Sequence, residues 1–419
     1  MGIGDVTFDP TRFNSVLKID YLGPVRDVLN SKRILLNRLI RDEENVSGSL
    51  VRCPMRIGRN EGQGSIGRGG RLPEPGQQKY AASQTTTKLH YMRIMVPGPE
   101  MADSRDDRGS FLQLLDGEMT NGTDDCLMET NRKLYGNGSG ALCTILAIAG
   151  APTYTCANAG GYTNKGNAVM YIREGMILVA INPAGGAVRG TARAVLSVDP
   201  TTQSFTTTGN LGGVVNGDYI VRASEVGVTP SSLDCGYNNE LMGLRGIIND
   251  VDPPTIAAGL QGLTVAANSY WKSTVMGNGG VDRPLNLPML QEIEDQLDID
   301  ADAVPSIWLG AHAQRRAYVN LLESNKRFVN KLDLDGGFSA VSFNDVPWVV
   351  DKDCPDGLLY GLDESQFRIF QQGDWFWLSK DNAILSRLDD YDIYQATLAW
   401  YSEMATSNRK RGLVIEDLA

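Results

Sequence analysis

The chain has 419 residues, enough for roughly two or three domains with their own cores, and its hydrophobic content of 42% is ordinary for a globular protein. No apolar run reaches the roughly 20 residues that cross a bilayer, and the start MGIGDVTFDP lacks the features of a signal peptide, so we expect a protein made in the cytoplasm. A net charge of −11 disfavours a nucleic-acid-binding protein, and six scattered cysteines without a CxxC pair predict free, buried thiols.

Residues 1–47 are predicted to form an N-terminal arm that contains one helix. Asn30 or Ser31 can cap this helix, because a short polar side chain can bond the free amides of the first turn. The apolar face of the helix consists of Ile34, Leu35, Leu36, Leu39 and Ile40.

Residues 48–97 are predicted to form an extended loop, a long two-stranded arm. Two runs that alternate apolar and polar residues, 49–57 and 88–96, predict its two strands. The stretch between them, 59–78, reads RNEGQGSIGRGGRLPEPGQQ and has almost nothing to bury. Long loops of this kind are uncommon in a compact domain unless they act on another molecule, and an isolated hairpin is marginal in water. We therefore expect this arm to lie on a neighbouring subunit.

The charge of this arm is opposite to that of the whole chain. Residues 48–97 carry eight Lys and Arg against two Asp and Glu. A basic arm on an acidic body suits a subunit that reaches onto an identical neighbour, since opposite charges attract and orient the two surfaces. The same arginines would also suit a loop that they merely keep solvated. The candidate contact residues of the arm are Arg56, Arg59, Ile66, Arg68, Arg71, Leu72 and Lys79.

A long helix and a β-rich region are predicted to follow. The helix belongs to 98–139, ends at the Gly-Asn-Gly of 136–138, and is weakened in its middle by Gly117 and Gly122, which predict a bend. Residues 140–228 contain short strand-like runs joined by turns, which predicts a β-rich insert the size of a small barrel.

The remaining sequence predicts a connection, a mixed α/β domain and a C-terminal segment, at 229–285, 286–385 and 386–419. The predicted elements of the mixed domain are helices at 289–297 and 313–323, a strand at 306–309 and a hairpin of 346–350 with 358–362. The stretch 390–406 fits a helix or a strand equally well.

Catalytic and metal-binding patterns are missing from the sequence. A GxGxxG occurs at 62–67, but Gly- and Pro-rich residues follow it where a dinucleotide site needs a helix. The acidic stretch at 298–302 lacks the Gly and Glu of a calcium loop. We therefore predict no enzymatic activity, no cofactor and no metal. The alternative from another functional class is a soluble cysteine hydrolase that uses Cys354 or Cys156 with His312.

Several short stretches, each weak alone, follow one another in a characteristic order. They are NRKLYGNGSGAL at 131–142, REGM at 173–176, SVD at 197–199, NGDY at 216–219, NELMGLRGII at 239–248, VPWVVDKD at 346–353, GLLYGLD at 357–363 and NRKRG at 408–412. This order resembles the major capsid protein of tailed bacteriophages, which has the Hong Kong 97-type capsid fold. The resemblance covers nearly the whole chain.

The resemblance implies an α+β fold with an N-terminal arm, an extended loop, a long spine helix at 98–139, a peripheral domain with a β-rich insert, and a mixed α/β axial domain. It also implies a subunit that self-assembles into the hexamers and pentamers of an icosahedral or prolate head around double-stranded DNA. The extended loop and the N-terminal arm would tie neighbours together, with Leu35, Leu36 and Leu39 as the contact residues of the N-terminal arm.

The partners implied by the resemblance are further copies of the chain, a portal, a scaffolding protein, a decoration or cement protein in some members, and enclosed DNA that is not bound by sequence; no membrane is implied. Because the chain starts directly at the arm, we expect the scaffold to be separate or already cleaved. The implied location is the virion, and the host cytoplasm during assembly.

Some members of the family cross-link their shells through a Lys of the extended loop. Lys79 and Lys88 are the candidates here, but nothing marks the acceptor Asn or the required Glu, so we expect non-covalent clamping by the loop. The alternative within the same fold is an encapsulin-like cellular compartment.

Overall fold

The structure, a computed structural model, describes residues 33–99, 108–162, 166–254, 256, 258–324, 332–334, 338–379, 384–388 and 391–419. It has the predicted α+β class, and within these ranges no helix is long and apolar enough to cross a membrane. The helices are α1 Ile34–Arg38, α2 Arg108–Lys133, α3 Leu244–Ile247, α4 Leu287–Ala301 and α5 His312–Ser324.

The strands of the described residues fall into three sheets and one barrel. In chain order they are β1 Ile40–Asp42, β2 Val46–Ser47, β3 Leu50–Gly58, β4 Lys79–Thr86, β5 Lys88–Pro97, β6 Ala141–Ile148, β7 Thr153–Ala157, β8 Ile177–Ile181, β9 Val188–Asp199, β10 Ser204–Thr207, β11 Tyr219–Arg222, β12 Thr274–Met276, β13 Ile307–Gly310, β14 Leu332–Leu334, β15 Phe338–Phe343, β16 Val346–Val350, β17 Leu359–Leu362, β18 Phe367–Gln371, β19 Phe376–Trp377, β20 Ser386–Arg387, β21 Ile393–Thr406 and β22 Gly412–Ile415.

The arm is built from β3 and β4, and not from the two runs that the sequence predicted. β3 pairs with β4 from Leu50 opposite Thr86 to Gly58 opposite Lys79, whereas β5 pairs along its whole length with β21. The predicted hairpin of 49–57 with 88–96 is therefore wrong. Its true second strand reads KYAASQTT, and because Ser83 is its one buried residue, hydrophobic alternation gives no signal there.

A six-stranded sheet supports the long helix α2. β21 has 14 residues and lies beside β18, β19, β20 and β5, so the ambiguous stretch 390–406 is a strand from Ile393 to Thr406. α2 runs without interruption through Gly117 and Gly122. A Cβ atom at Gly122 would lie 2.6 Å from Cε of Met92 on β5, so this glycine allows the helix to approach the sheet closely.

The β-rich region closes into a six-stranded antiparallel barrel in the order β10-β7-β6-β11-β8-β9. Its interior is filled by apolar side chains, among which Tyr154 and Phe205 have ring centroids 5.5 Å apart. Closure leaves no free sheet edge, which protects a region of short strands from pairing with other chains.

A seven-stranded sheet, in the order β12-β22-β17-β13-β16-β15-β14, packs with α4 and α5. Its core is aromatic, with Tyr318 stacked on Trp348 at 4.7 Å between ring centroids. β12 precedes the predicted 286–385 segment and β22 follows it, while β18 and β19 from inside that segment join the six-stranded sheet. Sheet membership therefore does not follow the predicted boundaries at 286 and 385, because strand partners come from distant parts of the chain.

Candidate assembly surface

The base of the arm is fixed to the body of the subunit. Val51 of β3 is buried against Phe370 of β18 and Ala405 of β21. The backbone N–H of Gln84 on β4 donates to the carbonyl oxygen of Gln261 at 2.9 Å. One strand of the arm is therefore held by apolar packing and the other by a backbone hydrogen bond, so the direction of the arm is set by the fold.

Beyond the paired strands the arm continues as a narrow ribbon of two chain segments. A Cβ atom at Gly62 would lie 2.5 Å from the backbone nitrogen of Gly76, so only glycine lets the two sides approach this closely. The ribbon turns at its tip, where the N–H of Gly70 donates to the carbonyl oxygen of Gly67 at 3.0 Å. The glycines of the GxGxxG match thus shape the ribbon, and the match does not belong to a nucleotide-binding loop.

All seven predicted contact residues of the arm are exposed in the subunit: Arg56, Arg59, Ile66, Arg68, Arg71, Leu72 and Lys79. Leu72 has 78% of its surface accessible, and the Arg71 side chain 90%. The ion pair of Arg71 with Glu74, at 3.6 Å between fully solvated groups, contributes little to stability. These side chains are therefore available to another molecule.

The two lysines considered for a cross-link lie in different settings. Lys79 is exposed at the first residue of β4. Lys88 begins β5 in the six-stranded sheet, outside the extended loop, and its Nζ donates to the carbonyl oxygen of Asn238 at 2.8 Å. Only Lys79 is therefore on the arm as the structure has it.

The leucines predicted as contacts of the N-terminal arm are buried in their own subunit. Leu35, Leu36 and Leu39 have accessible fractions of 2%, 1% and 4%. α1 is held there because the Leu35 N–H donates to Oδ2 of Asp351 at 3.3 Å and the Leu36 N–H donates to Oδ1 of Asn131 at 3.1 Å. Their prediction as inter-subunit contacts is therefore corrected, since the apolar face of this helix is used inside the subunit. The predicted caps Asn30 and Ser31 lie outside the described residues.

An exposed apolar patch, which we call the outer sheet face, covers the solvent side of β5, β19 and β21. It consists of the exposed Leu89, Tyr91, Phe376 and Leu378, the last directly after β19, around the half-buried Tyr401. Leu89 and Tyr91 each expose 56% of their surface, and the register places Tyr91 and Phe376 on either side of Ala399. Tyr91 and Phe376 both contact the ring of Tyr401, at 6.1 and 5.4 Å between centroids. The aromatic run at 375–377 favours a core or a subunit contact, but no local pattern brings Phe376 together with Leu89 and Tyr91, because the patch forms only when β5 and β19 pair with β21.

The chain superimposes on capsid subunits over almost its full length. In the capsid of cyanophage A-1(L), 96% of this chain matches 96% of the other with a TM-score of 0.55 at 12% sequence identity. In the capsid of a native GTA particle, the coverage is the same and the TM-score is 0.52 at 9% identity. The chain has the phage capsid fold.

A third structure with similarity to the chain is the holo-SrpI encapsulin complex of Synechococcus elongatus PCC 7942, with a TM-score of 0.44 at 10% identity over 98% of this chain and 95% of the other. A scan against protein-family models and a search of curated protein sequences each found no match.

Three of the stretches on which the resemblance rests meet inside this capsid fold. Arg132, at the end of α2, forms ion pairs with Glu129 at 2.8 Å and Glu240 at 2.5 Å. Burial alone would lower the pKa of Arg132, but the two carboxylates raise it. Arg409 is fully buried and donates to the carbonyl oxygens of Ile247 at 2.7 Å and Trp271 at 3.0 Å. These stretches therefore hold the subunit together and do not form an exposed site.

The cysteine hydrolase alternative finds no support in the geometry. Cys354 is buried, and this burial, with the nearby Asp351, Asp356 and Asp353, raises its pKa well above its ordinary value, which disfavours the nucleophilic thiolate. Cys156 faces a second thiol inside the barrel. Across the described ranges no hydrogen bond joins either thiol to His312, and no three His, Cys, Asp or Glu side chains form a group that could hold a metal.

Proposed function

We propose that this chain is the major capsid protein of a tailed bacteriophage, and that its copies assemble into the icosahedral or prolate head shell around packaged double-stranded DNA. The fold, shared with a cyanophage capsid subunit over 96% of both chains, carries this proposal. The arm supports it, because a ribbon with few buried side chains is marginal in water and gains stability by lying on a neighbour. Repetition of one such contact among many copies leads to closed symmetric assemblies.

The arm acts as the clamp between neighbouring subunits in this proposal. Its exposed Ile66 and Leu72 offer apolar surface, and Arg68 and Arg71 offer positive charge. The arm from β3 to β4 has a net charge of 6 − 2 = +4 over residues 50–86, so the rest of the chain carries −11 − 4 = −15. Opposite charges on the arm of one subunit and the body of its neighbour favour the contact between them and orient it. Lys79 remains a candidate for a covalent cross-link, with non-covalent clamping as the expectation.

The acidic body suits a container for DNA. A shell whose subunits carry net negative charge repels the phosphate backbone, so the packaged DNA is enclosed without sequence-specific binding and is not held on the wall. Hexamers and pentamers of the chain, a portal and a scaffolding protein would complete the assembly in the host cytoplasm, and the virion would be its final location.

The proposal is tested by the size and contents of what the protein forms. The chain would be purified after co-expression with its neighbouring genes and examined by multi-angle light scattering and negative-stain electron microscopy. We expect shells, or rings of five and six subunits, and nuclease-protected DNA in particles from infected cells. Particles that enclose a protein cargo and no DNA would favour the encapsulin-like compartment. A monomer or dimer under all assembly conditions would contradict both.

A further inference from the structure

Two buried cysteines meet inside the six-stranded barrel. Cys143 lies on β6 and Cys156 on β7, the two strands of one hairpin in which Ile145 is opposite Cys156. Their Sγ atoms are 2.9 Å apart, and both side chains are buried. The other four cysteines have different surroundings: Cys235 and Cys354, for example, contact backbone carbonyl oxygens. The described residues therefore contain one close pair of thiols.

We propose that Cys143 and Cys156 form a dithiol–disulfide site that covalently closes the β6–β7 hairpin when the subunit meets a small-molecule disulfide as oxidant. The bond requires the two sulfurs at about 2.05 Å, so they need to approach by roughly 0.9 Å. Rotation of two short side chains that already face each other can supply this movement. The site belongs to the barrel itself and does not depend on the proposed function.

The reaction is thiol–disulfide exchange in two steps. The thiolate of one cysteine attacks a sulfur of an oxidised glutathione molecule, which breaks the S–S bond and releases one glutathione thiolate. The thiolate of the second cysteine then attacks the sulfur of this mixed disulfide and releases the second glutathione. The two cysteine sulfurs lose two electrons and two protons in total, and one glutathione disulfide becomes two thiols.

The barrel controls when this exchange can take place. Burial, together with the neighbouring Cys156, raises the pKa of Cys143, so Cys143 is rarely a thiolate in the closed barrel, and the burial of both side chains keeps an oxidant out. Exchange therefore occurs while the barrel is folding or transiently open. Once formed, the same burial protects the disulfide from reductants. The cross-link then restricts the unfolded chain and raises the unfolding temperature of the subunit.

The test uses the full chain, reduced, unfolded and refolded in a mixture of oxidised and reduced glutathione. The protein is then alkylated in denaturant and its intact mass and cysteine-containing peptides are measured. We expect two of the six cysteines to escape alkylation and to be found in one peptide pair that joins Cys143 to Cys156. Alkylation of all six, or a bridge between other cysteines, would overturn the proposal.

Two variants and a measurement of unfolding temperature test whether the bond between Cys143 and Cys156 is responsible for the protection and for added stability. In Cys143→Ala, Cys156 should become open to alkylation. Cys53 is a half-buried cysteine on the arm, and Cys53→Ala should leave Cys143 and Cys156 protected from alkylation. The oxidised wild-type chain should unfold several degrees above the reduced one, a comparison that needs no substitution at the site. Equal unfolding temperatures for the two forms would contradict the role of the bond as a staple of the barrel.

Discussion

Asp353 is a buried carboxyl group with an unusual proton affinity. Nδ2 of Asn131 donates to Oδ2 of Asp353 at 2.7 Å and to Oδ2 of Asp351 at 3.1 Å, so the two carboxyl groups share one side-chain amide as hydrogen-bond donor. Burial raises the pKa of Asp353 to about 6, and the charge of Asp351 adds to this, against the opposing effect of the Asn131 bond. The folded subunit therefore holds a proton at Asp353 more tightly than the unfolded chain does.

Asp353 therefore lowers the stability of the subunit as the pH rises from about 4 to about 6, because over this range the unfolded chain has already released the proton while the folded chain has not. We expect Asp353→Asn to weaken this pH dependence and to raise stability at pH 7 by about 1 to 3 kcal/mol. Unfolding temperatures measured from pH 4 to pH 8 check this. Other acids whose pKa values are raised by burial, Asp356, Glu294 and Glu403, the last to about 7, should contribute to the slope that remains. Exposed Glu292→Gln is the control, and an identical slope in Asp353→Asn and wild type would refute the assignment.

Gly190, on β9 of the barrel, occupies a conformation that side chains avoid. Its φ is +62°, and a Cβ atom there would collide with the carbonyl oxygens of Leu211 and Gly212. Gly190→Ala should therefore destabilise the protein by at least about 2 kcal/mol, because the backbone of residue 190 would be strained and the segment at Leu211 and Gly212 would have to move. Gly185→Ala is the matched control, because Gly185 has open space around it and no positive φ. Chemical denaturation of both variants measures their free energies of unfolding, and an equally small loss in both would contradict this role of Gly190.

The arm is the element on which assembly depends. Exchange of its two tip arginines for acids, Arg68→Glu with Arg71→Glu, should block or weaken shells, because the acidic arm would then be repelled by the acidic neighbour. Both side chains are solvent-exposed, so circular dichroism and the unfolding temperature should be unchanged.

The matched control for the arm keeps the charge, with Arg68→Lys and Arg71→Lys. Light scattering should show assembly for the lysine pair and its loss for the glutamate pair. Because salt screens charges on exposed surfaces, assembly of wild type should also weaken at high ionic strength. Equal assembly of the lysine and glutamate double variants would show that the charge of the arm does not contribute to its binding.

Several elements could be predicted from local patterns, and others could not. The long helix and the short strands of the barrel region have periodic or turn-rich sequences. β4 has neither, because its less exposed face consists of Ala81, Ser83 and Thr85, which are small or polar, so no hydrophobic alternation indicates its pairing with β3. The leucines of α1 show the reverse case: an apolar face indicates burial, but it does not tell whether the covering surface comes from the same chain or from a neighbour.

The outer sheet face was also beyond prediction from the sequence. Tyr91 and Phe376 are separated by nearly three hundred residues, and they lie together only because both strands pair with β21. Likewise β12 and β22 are parallel neighbours from distant parts of the chain. Local periodicity contains no information about such partners, so the resemblance to the capsid fold was the signal that indicated the overall arrangement.

In the described residues, a body of packed sheets, helices and a barrel has a projecting arm of opposite charge. The base of the arm is fixed by Val51 and Gln84, while its tip exposes Ile66, Leu72, Arg68 and Arg71, which do not pack in the subunit's own core. The body offers the outer sheet face as a further uncovered apolar surface. Both features are costly in an isolated subunit and favourable in an assembly that covers them.

A cryo-electron microscopy reconstruction of particles assembled from the wild-type chain tests the central claim most directly. The account predicts a closed shell of pentamers and hexamers in which residues 59–78 of each subunit lie on the surface of a neighbour. A particle in which every arm folds back onto its own subunit, or a preparation that yields only monomers and dimers, would contradict it.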